Sequence, residues 1–140
     1  MLTSPTAQEM AERIFAEMAG DAGDSGGLAA LTSVYERLGQ MMSVVVGDAG
    51  YRAILSRSLR KAAAAYPRLA GVVLSESDAP FEPVLTRLQT EDPAAIRTAA
   101  IAIMTNFIEL LGTLIGTELT LTLLDREWPR ANFLISTERS

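Results

Sequence analysis

The residues best suited to chemistry are a few charged side chains at helical spacing. Glu118 and Asp125 stand seven apart, which puts them on one face of a helix, where paired carboxylates can exchange protons or hold a divalent cation. Asn106 and Glu109 stand one turn apart inside the most apolar part of the chain. Burying a charge there is costly unless it is paired. Either the two face solvent or they meet a cation, for which Arg97 and the arginines of the 52–60 segment are available. Arg57 and Arg60, again one turn apart, belong to a locally basic stretch with Arg52 and Lys61, and together they can grip one carboxylate or phosphate. The bland alternative for each group is a solvated helix face.

What is missing narrows the chemistry further. The chain has no His and no Cys. That removes thiol nucleophiles, disulfides, Cys/His zinc sites, histidine-ligated haem, the imidazole base of the usual triads and the Glu-x-x-His ligands of di-iron bundles. Neither a GxxxxGK[ST] phosphate loop nor a GxGxxG dinucleotide fingerprint occurs. A net charge of −5 argues against sequence-independent nucleic-acid binding. The expectation is a non-enzymatic chain with no cofactor or metal.

The elements that position these groups are helices. Apolar residues make up 49% of 140 residues, aromatics only 6%, so the core is aliphatic and the natural count is one domain. Asp92 to Pro129 is the densest apolar stretch, and the rest of the chain is expected to wrap it. Asp92-Pro93 is a strong helix start. From there Ile96, Ala99, Ala100, Ile103, Met104, Phe107, Ile108, Leu111, Leu114 and Ile115 recur at three- and four-residue spacing. As one rod this stretch would run about 55 Å, too long for a compact domain of this size. A break near Gly112 or Gly116 is therefore predicted. Thr117 to Leu124 alternates polar and apolar like a strand, yet no third strand is evident to support a hairpin, so helix is the preferred assignment.

Before it, Ser4-Pro5 opens a helix ending at Gly20, and Asp21 to Gly27 reads as a loop. A second helix is predicted over 28–46, closed by Gly47. Asp48-Ala49-Gly50 then caps a third, over 51–66, which Pro67 stops. Arg68 to Leu74 is an apolar connector or another helical turn, and a short helix follows over 81–89. Residues 130–140 form a tail with one apolar patch, Phe133-Leu134-Ile135. The fold class is thus an all-α, single-domain bundle of five or six helices around a central apolar helix, Pro93 to Leu111.

With no catalytic motif, function is expected to lie in surfaces. Met41, Met42 and Val45, beside Val44 and Val46, are more apolar than one buried face requires and suit an adaptable docking patch. Gly112-x-x-x-Gly116 lets helices approach closely, as a homodimer seam or as a simple kink. Trp128, the lone Trp, either plugs the core or anchors a partner. The candidate partner-binding residues are Met41, Met42, Val45, Arg57, Arg60, Gly112, Gly116 and Trp128. The functional expectation is a cytoplasmic regulatory or adaptor module that binds another protein or itself, with a homodimer favoured. One rival is a sensor with an aliphatic pocket for an apolar or lipid-like molecule. The other is a peripheral membrane protein. Neither a signal peptide in MLTSPTAQEMAER nor an 18-residue uncharged apolar span is recognised.

Overall fold

A computed structural model describes residues 6–22, 26–76 and 81–128; within 18–22 and 26–30 only the backbone is described. Among these residues the chain is all helical, with six α-helices and one 3-10 turn. The order is α1 (Ala7–Ala22), α2 (Gly26–Val45), α3 (Gly47–Ala65), the turn Pro67–Leu69, α4 (Glu82–Leu88), α5 (Pro93–Ile115) and α6 (Thr117–Glu127).

Helix α5 is the centre, packing against α1, α2, α3 and α6. It begins as the sequence predicts: the Asp92 carboxylate accepts a 2.8 Å bond from the Ala95 N–H, and Pro93 takes the first helical position. Ile96, Ala99, Ala100, Ile103, Met104, Phe107, Ile108 and Leu111 are all buried. The chain breaks at Gly116, where φ 96° and ψ 149° place the backbone in a region essentially closed to other residues. Gly112 stays inside α5. Beyond the break the alternating segment is helix, because Thr120 and Leu124 turn inward one helical turn apart, with Trp128 a further turn on.

Several boundaries differ from the sequence reading. The described start of α1 is a reciprocal cap at Thr6: its hydroxyl accepts from the Glu9 N–H (3.1 Å) while the Glu9 carboxylate accepts from the Thr6 N–H (2.8 Å). Ser4-Pro5, the predicted start, lies outside the described residues, as does the 130–140 tail. Helix α1 runs through Gly20 to Ala22 and α2 begins at Gly26, so helix replaces part of the predicted loop. Gly47 (φ 80°) both ends α2 and opens α3, so Asp48-Ala49-Gly50 forms a first turn rather than a cap. Within the connector only Pro67–Leu69 is helical.

Helices α3 and α5 run antiparallel. The Asn106 side-chain amide donates to the Ser58 carbonyl (3.2 Å), and the rings of Tyr51 and Phe107 meet edge to face at 5.9 Å. On α2, Tyr35 stacks on Phe81 at 4.0 Å and sends its hydroxyl to the Ala100 carbonyl, tying α4 and α5 to α2. The connector is held by Arg87, which donates to the carbonyls of Arg68 and Ala70, and by the Arg68–Glu91 ion pair at 3.1 Å.

Candidate interaction surfaces

Two features stand out on the described surface: an uncovered apolar end and an acid-lined cleft. The first follows from helix register. On α2, Leu31 and Leu38 are fully buried, and Val45 continues the same face one heptad on, yet is 38% exposed. On α5, Phe107 is fully buried, and Leu114 continues its face, yet is 64% exposed. Both core stripes therefore outrun the bundle. The register of α3 on α5, with Ser58 beside Asn106 and Ala65 lining one pocket with Thr98, points the start of α3 toward the end of α5. Gly47 joins that start to the end of α2, so both stripes run out in the same direction. The first turn of α3 is Gly47-Asp48-Ala49-Gly50, which has no large side chain to cover either stripe. Val44 (86% exposed) and Leu119 (48%), in the first turn of α6, add to this end.

The sequence candidates distribute unevenly over it. Val45 is on the apolar end, and Met41 is half-buried against the core. Met42 is fully buried and serves the core of the chain itself, because the residue it follows by four, Leu38, faces the same interior. Leu114, predicted to be buried with the rest of the α5 stripe, is the main departure. Gly116 is the break. Among the described residues nothing approaches Gly112 closely: a Cβ added there would meet only the Thr117 Oγ1, at 3.8 Å. Of the Gly-x-x-x-Gly pair, Gly116 makes the break between α5 and α6 and Gly112 lies inside α5.

Trp128 is fully buried and closes the core at the end of α6. The Arg37 guanidinium lies over its ring at 5.1 Å and reaches the Glu127 carboxylate through Nε (3.2 Å) and a terminal nitrogen (3.0 Å), with a further bond to the Glu127 carbonyl. The Arg37–Glu127 link joins residues 90 apart in sequence, and no local spacing announces it. The Trp128 indole N–H is buried without a hydrogen-bond partner among the described residues.

Arg57 and Arg60 are exposed on α3 and make no ion pair or hydrogen bond among the described residues. Glu109 and Glu118 are exposed, and Asp125 is half-buried. Asn106 is half-buried and is satisfied by the Ser58 carbonyl, so no arginine is needed to compensate it. No group of three or more His, Cys, Asp or Glu side chains is placed to share a metal ion among the described residues. Two hydroxyls are strongly perturbed: burial pushes the phenols of Tyr35 and Tyr51 well above their ordinary range.

The second feature is a cleft of about 590 Å³ between α2, the start of α3, and α4. Tyr35, Tyr51 and Phe81 form its floor, and Glu36, Glu76 and Glu82 stand at its edge. Its lining is aromatic and acidic, with Leu85 as the aliphatic member. Helix α5 alone, among the described residues, is long and apolar enough to cross a membrane, a property it shares with any central helix of a bundle. Set beside known proteins, the chain matches no family, no curated protein and no solved structure.

Proposed function

We propose that this chain is a non-catalytic, cytoplasmic regulatory or adaptor module that associates through helices, binding a second copy of itself or another protein by its apolar end. One observation supports the proposal: the core stripes of α2 and α5 both continue past the bundle, leaving Val45 and Leu114 uncovered, with Val44 at the end of α2 and Leu119 at the start of α6 exposed beside them in sequence. Single exposed aliphatic residues are ordinary, but several at one end of a small domain mark a contact surface.

The size of the patch sets the strength. Fully burying one Val or Leu is worth about 1.5–3 kcal/mol, so covering the exposed fractions of these four yields on the order of 4–7 kcal/mol. Association costs at least about 4 kcal/mol in lost freedom of motion. The contact is accordingly weak and reversible, suited to regulated assembly rather than a permanent oligomer.

The test is sedimentation velocity over a dilution series reaching about 100 μM, a range chosen for weak complexes. Wild-type protein is expected to sediment faster as concentration rises, and Leu114→Glu to stay monomeric with unchanged helicity. Concentration-independent sedimentation of the wild type, with no capture of a partner that depends on Leu114, would overturn the proposal.

A further inference from the structure

The cleft between α2 and α4 has the properties of a small-molecule site, and its chemistry is different from that of the apolar end. Its volume, about 590 Å³, falls within the roughly 300–1,000 Å³ usual for such sites. On the α2 side it is lined by Thr32, Tyr35, Glu36, Gln40 and Ser43, and Gly39 lets the Tyr51 ring pack directly against α2. Gly39 has no side chain, and a Cβ there would sit 3.2 Å from the Tyr51 ring. The floor is tied in place: the Tyr51 hydroxyl donates to the Tyr35 carbonyl at 3.1 Å, and Tyr35 is stacked on Phe81 at 4.0 Å. An apolar body entering the cleft would meet this aromatic floor and the half-buried side of Leu85.

The rim decides the charge of the occupant. Four carboxylates line the cleft, Glu36, Asp48, Glu76 and Glu82, and none makes a hydrogen bond or ion pair among the described residues. The one cationic side chain, Arg52, is turned to the Ser75 carbonyl. The described lining residues therefore carry a formal charge of −3 around an aromatic floor. Such a field attracts cations and repels carboxylates and phosphates. Gln40, Ser43 and Thr32 add neutral hydrogen-bonding groups on the α2 side.

We infer that this cleft binds a small organic cation, an amine or amidine carried on a flat or apolar body. The body packs on Phe81, Tyr51 and Leu85, and the cationic head lies among Glu36, Glu76 and Glu82. The inference is independent of the apolar end, since the two surfaces are formed by different side chains.

The test is an amide chemical-shift titration of the full chain with benzamidine, with benzoate as a control of similar shape and opposite charge. Benzamidine is expected to shift the amides of Gly39, Tyr51 and Phe81 saturably, and benzoate to leave them unmoved. Glu36→Gln combined with Glu82→Gln removes two exposed charges without touching the core, and is expected to weaken benzamidine about tenfold. Ser43→Phe fills the cleft from α2 and is expected to abolish the shifts. Equal shifts with benzoate, shifts confined to the rim and reproduced by ethylammonium, or full affinity in the double variant would each overturn the inference. Binding of a lysine-rich peptide at these amides with no response to benzamidine would also overturn it, in favour of a protein partner.

Discussion

The two glycines of the 112–116 segment should respond to alanine in opposite directions. Gly112 lies inside α5, where an added Cβ meets only the Thr117 Oγ1 at an ordinary 3.8 Å. Nothing there resists a methyl group, and replacing glycine by alanine in a helix interior gains about 0.5–1 kcal/mol. At Gly116 an added Cβ meets nothing within 4 Å, so space is not the issue. The cost is conformational: φ 96° and ψ 149° lie where a side chain is strained by about 1–3 kcal/mol. Gly112→Ala is therefore expected to stabilise and Gly116→Ala to destabilise, with a gap of about 2–4 kcal/mol between them. For a domain of this size each kcal/mol moves the melting midpoint by roughly 3–5 °C, so the variants should melt about 6–20 °C apart. Paired thermal and urea melts at low protein concentration measure the gap. Destabilisation by Gly112→Ala comparable to that by Gly116→Ala would refute the reasoning. If that loss appeared only at high concentration, it would show that Gly112 abuts a second copy.

Three further outcomes follow from particular contacts. Arg37→Lys keeps the charge but loses the forked grip on Glu127 and the stacking on Trp128; with both charged partners about a third exposed, urea melts should show a loss of about 1–2 kcal/mol. Asn106→Leu, by contrast, should stay within about 0.5 kcal/mol of wild type in the same melts, because the Ser58 carbonyl it releases belongs to a helix. Tyr35 and Tyr51 have folded-state pKa values raised above the unfolded value by burial. Their contribution is complete below about pH 10 and is lost as the pH climbs beyond it, since only the unfolded chain ionises readily there. Melting midpoints followed from neutral to strongly alkaline pH should fall above that point, and Tyr51→Phe should flatten the fall.

Much of the fold was legible because apolar spacing and helix punctuation agree. The eight buried residues of α5 from Ile96 to Leu111 follow from periodicity, and Asp92-Pro93 marks the start of that helix. The break at Gly116 followed from the length of the stretch. What failed was local: Leu114 shares the periodicity of Phe107, but exposure depends on what lies opposite, and the small first turn of α3 lies opposite. Met42 reads as surplus apolar surface beside Met41 and Val44–Val46, although it is fully buried in the core. The cap of Thr6 and Glu9 was available as a T-x-x-E pattern beside the more conspicuous Ser4-Pro5. The Arg37–Glu127 link and the cleft, made of α2, α3 and α4 side chains, left no spacing signal at all.

The central claim, that the apolar end is a contact surface, is most directly tested by methyl NMR on a dilution series. The methyl signals of Val44, Val45, Leu114 and Leu119 should shift together with concentration, while that of Val73, another exposed aliphatic residue, on the connector, stays fixed. Shifts at Val73 in place of these four, or no change at any of them with or without a captured partner, would contradict it.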